Sequence, residues 1–165
     1  MVFDTHCHVQ FAAYKDDRDE VMKRNLAKGV IMNLVGTHSD TSTTAVALAE
    51  QYDNCYASIG VHPNHLFPTH IDEGEWPFLS REESFNLEHF TKLAQSKKVI
   101  AVGECGLDLF HLPPDIVKEV VLEKQIAVFV DHLNFAHAHN LPLVIHCRDA
   151  HDEMIELLKE QISKN

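Results

Sequence analysis

Two histidines flank a cysteine near the start of the chain, in the stretch Phe3-Asp4-Thr5-His6-Cys7-His8-Val9. Successive side chains of an extended strand alternate faces, so His6 and His8 share one face and Thr5 and Cys7 take the other. Two neutral imidazoles on one face can grip one cation. They can equally be solvated histidines on a half-exposed strand, and this stretch alone leaves both readings open. Histidine is over-used throughout, with 13 among 165 residues. That count favours a metal or acid–base site without locating one.

Further ionisable groups end apolar runs in the same way. His62 closes the third run in Gly60-Val61-His62-Pro63. Glu104 follows Val99–Gly103, with Asp108 four residues on. Leu143-Val144-Ile145 runs directly into His146, then Arg148 and Asp149. Charge at the end of a buried run is costly unless it is paired or metal-bound. His6, His8, Glu104 and His146 are therefore the expected metal cluster. Three imidazoles and a carboxylate suit Zn, Mn, Fe or Ni, whereas Mg or Ca would want more oxygens. The two oxygens of Glu104 can bridge two cations. Two cations a few Å apart would polarise a phosphoryl oxygen and generate hydroxide at neutral pH. Cys7, Cys105 and Cys147 each follow a candidate ligand, so alternation turns them to the opposite face. They are expected to be small buried hydrophobes, since thiolate ligation would require every strand to flip.

The elements that must deliver these groups recur as a unit: a β-branched apolar run, a polar or Gly-rich turn, then a helical pattern. Strands are predicted at Val2–His6, Val30–Gly36, Tyr56–Val61, Val99–Gly103 and Leu143–Cys147. Most are apolar on both faces, as parallel strands buried on both sides are. Asp16–Lys28 starts acidic, ends basic and stops at Gly29, a helix with its dipole and C-cap satisfied. Ser39–Tyr52 is a helix with Ser39, Asp40 and Thr41 as possible N-caps. Ser80-Arg81-Glu82-Glu83 reads as a capping box before Leu87, Phe90, Leu93 and Ala94. Pro113-Pro114 opens the longest helix, with Leu122, Ile126, Phe129, Leu133 and Ala136 on its apolar face. His151–Ile162 is the last helix, its apolar face formed by Ile155, Leu158 and Ile162. Residues 64–80 read as a long loop, of a length more often functional than idle. Strand–helix alternation without hairpin signals means a parallel α/β sheet. In such folds ligands bind at the C-terminal ends of the strands, where these groups gather. By unit count an open flavodoxin-type sheet competes with part of a (β/α)8 barrel.

Bulk properties narrow the classes. The length suggests one domain, residues 1–165, with a sizeable core. No apolar run approaches the roughly 20 residues that span a bilayer. With no secretory signal pattern and no C-x-x-C pair, the four cysteines read as reduced thiols and the expected location is cytoplasmic. The formal net charge of −11 opposes general polyanion binding. Attraction to nucleic acid would have to come from a local patch or bound metal.

The stretches "FDTHCH", "GVHP", "GECGLD" and "LPLVIHCRDA" together resemble the TatD family of metal-dependent deoxyribonucleases. The resemblance runs from Phe3 to Ala150. It implies a (β/α)8 TIM-like barrel, here partial with about five βα units, and hydrolysis of DNA phosphodiesters by a metal-activated water. It implies one or two divalent ions, with two expected and Zn, Mn or Mg as candidates. His6 and His8 correspond to ligands of the first metal, Glu104 to the bridging carboxylate and His146 to a ligand of the second. His62 corresponds to a histidine that touches substrate phosphate, so Glu104 and His62 are the expected catalytic residues. Arg148 is a candidate phosphate contact, or else a partner for Asp149.

Two departures accompany the resemblance. Leu109-Phe110 stands where the family usually has an aromatic directly after "GLD". The family's sixth-strand histidine motif and its Thr-Asp-Ala-Pro stretch have no counterpart, so the domain is expected to stop before the last barrel strands. The open sheet edges would then invite self-association or a partner chain. Two alternatives to a DNA hydrolase follow: a non-catalytic metal-binding or protein-interaction remnant of the same fold, and a hydrolase of a small amide or ester.

Overall fold

The computed structural model describes residues 2–68, 70–71, 78–79 and 82–164. Among the described residues there are seven strands: β1 (Val2–Cys7), β2 (Val30–Val35), β3 (Cys55–Ile59), β4 (His70–Ile71), β5 (Phe78–Leu79), β6 (Val99–Asp108) and β7 (Leu143–Arg148). Five α-helices accompany them among the described residues: α1 (Arg18–Ala27), α2 (Ser39–Ala49), α3 (Leu87–Leu93), α4 (Lys118–His139) and α5 (His151–Lys164), with short 3-10 turns at Ala12–Tyr14 and Pro63–His65. The main sheet has the order β1-β2-β3-β6-β7, parallel throughout. It curls into a half-barrel with helices on its outer side. β4 and β5 form a separate antiparallel pair within the predicted long loop.

α4 runs between two apolar clusters and ties them together. Val121, Val128 and Phe135 join Met22, Leu34, Ala45, Ile59 and Phe90 in the larger one. Phe129 joins Cys105, Leu107, Met154 and Leu157 in the smaller. Burying a side chain such as Phe90 or Phe129 contributes about 1.5–3 kcal/mol. The half-barrel interior holds a polar chain instead: Asn33 donates to the Thr5 carbonyl at 3.0 Å and exchanges hydrogen bonds with Ser58.

Several boundaries depart from the sequence-based expectation. β6 runs five residues past Gly103 to Asp108, because glycine allows β7 to come close. Gly106 has φ +152°, and a Cβ there would strike the His146 carbonyl oxygen. α4 starts at Lys118, beyond Pro113-Pro114. α2 begins at Ser39, but the hydroxyl that caps its first turn is Thr41, which accepts from the His38 N–H at 3.0 Å. The Ser80 capping box lies partly outside the described residues, and the Asn86 side chain caps α3. The largest difference is in α5. Its buried face is Met154 and Leu157, next to Ala150; of the expected face Leu158 packs half-buried against this cluster, whereas Ile155 and Ile162 are exposed. The three-and-four spacing fits either stripe, and contact with Cys105 and Leu107 selects the Met154 stripe.

Candidate metal centre

Each functional side chain is carried by a strand end or the loop after it, and each is fixed locally. β1 ends at Cys7, and the turn behind it is held by Arg18. The Arg18 guanidinium donates to the carbonyls of Val9, Gln10 and Phe11 at 2.9–3.0 Å. His8 Nδ1 donates to the Val35 carbonyl at 2.8 Å. That bond puts the proton on Nδ1 and leaves the lone pair on Nε2, 3.2 Å from His6 Nε2. Glu104 is pinned across the sheet: its N–H donates to the Gly36 carbonyl at 2.9 Å. Its carboxylate reaches His6 Nε2 through Oε2 at 3.2 Å and His146 Nδ1 through Oε1 at 3.2 Å. Two donor groups result, His6–His8–Glu104 and His62–Glu104–His146, each with its ligand atoms within 4.8 Å of one another. Glu104 belongs to both.

The electrostatics follow from this crowding. Burial would raise Glu104, but hydrogen bonds from His146 and His6 outweigh it and hold the carboxyl well below the usual range. Burial would lower His146, but bonds to Asp108 and Glu104 raise it to about 9. The bond to Glu104 raises His6 against its partial burial. Thus protons hold together an imidazole–carboxylate cluster whose lone pairs face one another. Divalent cations satisfy the same groups: imidazole nitrogens opposed to one carboxylate, two imidazoles to each group, are the donors a borderline-soft ion takes. The residues fit the ions that the sequence implies.

His62 differs. It ends the β3 run, and its Nδ1 accepts from the Asn64 N–H at 3.1 Å. The ring proton therefore sits on Nε2, 3.9 Å from Glu104 Oε1. Burial and the charge of His146 lower His62 to about 3, so it is a neutral N–H donor. Metal ligation through Nε2 would require the other tautomer and the loss of the Asn64 bond. Upstream, Val61 N–H donates to His132 Nε2 at 2.9 Å, and His132 Nδ1 donates to the Val128 carbonyl at 2.7 Å. A fully buried histidine on α4 thereby sets the path of the chain into His62.

Asp108 is the residue whose role the sequence reading did not reach. Its side chain is fully buried. Oδ2 accepts from His146 Nε2 at 3.0 Å and meets His111 Nδ1 at 2.9 Å; Oδ1 accepts the N–H groups of Phe110 and His111 at 2.9 and 2.8 Å. Burial would raise Asp108, but these bonds hold it far below the ordinary carboxylate range. A carboxylate behind an imidazole fixes the tautomer, with Nε2 protonated and Nδ1 turned to the cation. Glu104 and Asp108 have the same parity on β6, a signal that was available. His111 and Asn64 had none.

Arg148 lies apart from the ligand cluster. Its guanidinium stacks 4.0 Å from the centroid of the Phe110 ring; of its two expected roles, the pairing with Asp149 is not formed among the described residues. Cys105 is buried, Cys7 and Cys147 partly so, and none joins a ligand group among the described residues. Burial pushes the Cys7 thiol up to about 12, which keeps it neutral.

The model for TatD related DNases matches residues 3–165. The chain belongs to this family. It is 33% identical over 167 residues to the 3'-5' ssDNA/RNA exonuclease TatD of Escherichia fergusonii, covering 99% of this chain and 56% of that protein. It is 34% identical to the uncharacterized metal-dependent hydrolase YabD of Bacillus subtilis, covering 98% and 56%. The crystal structure of YJJV, a TatD homolog from Escherichia coli K12, superposes with a TM-score of 0.73 at 31% identity, over 96% of this chain and 55% of that one. The chain thus spans about half the length of the relatives it matches. Among the described residues no helix is long and apolar enough to cross a membrane.

Proposed function

We propose that the rim of this half-barrel is the metal-binding half of a phosphodiester hydrolase acting on DNA. The observation that carries the reading is the sharing of Glu104 by two imidazole groups on opposite sides of it. Two divalent ions, Zn, Mn or Mg, would be held by His6 and His8 on one side and His146 on the other, with Glu104 between them. When bound, such ions polarise a phosphoryl oxygen and lower the pKa of water. The chain's own residues orient and exclude. Asp108 keeps His146 Nδ1 turned to the site, and the Val35 carbonyl does the same for His8 Nε2. His62, neutral and donating through Nε2, holds a substrate phosphate oxygen without adding a charge that would repel the ions. Family membership and the name of the Escherichia fergusonii relative support nucleic acid over a small amide or ester.

Residues 1–165 act as one domain in this reading, located in the cytoplasm. The open edges of β1 and β7, with Val2, Phe3 and Ile145 exposed, support pairing with further strands from a second copy or a partner chain. Release of nucleotides from 3'-labelled single-stranded DNA in Mn²⁺, Mg²⁺ or Zn²⁺ tests the activity, beside His6→Ala. The reading expects metal-dependent release that His6→Ala reduces. Equal release by both chains removes His6 from the activity, and none by either favours a metal-binding or interaction module that keeps the fold without the chemistry.

A further inference from the structure

Phe110 is a large apolar side chain left 56% exposed on the same rim. It is not a loosely held loop tip. Its N–H is fixed to Asp108 Oδ1 at 2.9 Å, the preceding Leu109 N–H donates to the Arg148 carbonyl at 2.9 Å, and its ring packs edge-on against His111 at 4.8 Å. The exposed Arg148 guanidinium covers the ring at 4.0 Å. One carboxylate, Asp108, therefore orients the candidate ligand His146 with one oxygen and the backbone of this aromatic with the other.

From this arrangement, and resting on the nuclease reading above, we propose that Phe110 and Arg148 form a stacking ledge for an unpaired nucleobase of the substrate strand. An aromatic ring capped by an arginine plane presents flat outer faces on which proteins stack single-stranded bases without reading their sequence. The ledge takes a base only after that base has left its duplex stack, so it selects single strands and frayed ends. Arg148 supplies a cation on a chain whose net charge is −11, where the strand's phosphates otherwise meet a repelling field. The coupling through Asp108 sets a fixed offset between the stacked base and the ligand His146, which makes the ledge a ruler as well as a grip.

The test is binding, read by fluorescence anisotropy in Mn²⁺. It compares a phosphorothioate oligothymidylate with an abasic strand of equal length, for the wild-type chain, Phe110→Ala and Phe110→Trp. Stacking of one base predicts that the wild type prefers the base-bearing strand roughly 5- to 100-fold. Phe110→Ala should lose that preference and Phe110→Trp keep it. Equal affinity of the wild type for both strands, binding to neither, or an undiminished preference in Phe110→Ala overturns the ledge. Hydrolysis of bis(p-nitrophenyl) phosphate, which carries no base, reports separately on the nuclease reading. Preference for bases without such hydrolysis keeps the ledge and removes the nuclease.

Discussion

The two sides of Glu104 are built differently. On the β7 side, His146 is wedged between Glu104 and a fully buried Asp108, which His111 and two backbone N–H groups also grip. On the β1 side, His6 is 40% exposed on an edge strand, and the His8 ring is directed by the Val35 carbonyl and stacks on Phe11 at 4.4 Å. The candidate ligands are of the same types, two imidazoles on the β1 side and one on the β7 side with Glu104 common to both, and their surroundings differ more than their chemistry. A braced imidazole loses little freedom when a cation arrives, whereas an exposed one must be ordered at that moment. The β7 side should therefore bind the tighter ion and the β1 side the looser.

The largest effect is expected where the sides meet. Glu104→Gln removes the carboxylate common to both and should lower metal-dependent hydrolysis by about 10³-fold or more, as the loss of several kcal/mol of charge stabilisation implies. Steady-state rates at saturating metal check it. Asp108→Asn should weaken the tighter ion about 10- to 100-fold, the usual cost of removing a carboxylate behind a ligating histidine. His6→Ala should weaken only the looser one. Calorimetric titration separates the two steps, and a larger loss at the tighter step from His6→Ala than from Asp108→Asn breaks the asymmetry.

His132 sharpens the comparison through stability. Buried neutral, it accepts the Val61 N–H, and burial lowers it from 6.5 to about 4. Between those values the unfolded chain binds the extra proton and the folded chain does not. Its contribution is thus intact above pH 6.5 and falls as pH drops toward 4, by up to about 1.4 kcal/mol per pH unit. Urea unfolding at pH 5 and 7 should show this loss in the wild type and a smaller one in His132→Gln. The smallest effect belongs to the exposed stripe of α5. Ile155→Lys should change stability by less than about 0.5 kcal/mol, while Leu157→Ala costs about 2–5 kcal/mol in the same thermal or urea melt.

Much of this was legible in the residues. Strand alternation put His6 and His8 on one face, and four apolar runs ending in ionisable groups gave the rim. Those features depend on period and chain order, which a sequence carries directly. The brace did not come through, because it is made of long-range pairs: Asp108 with His146, and Val61 with His132. The α5 face was legible only at Leu158, for the same reason. Period allowed two stripes, and only packing against β6 chose Met154 and Leu157. For Arg148 the residues left a phosphate contact and a pairing with Asp149 both open, and its stacking on Phe110 depends on the β6–β7 register, which brings the two alongside.

Anomalous diffraction from crystals of the chain grown with Mn²⁺ tests the central claim most directly. The account predicts two peaks about 4 Å apart with a Glu104 oxygen on each, one beside His6 and His8 and the stronger beside His146. Peaks elsewhere, or none within reach of Glu104, would contradict it.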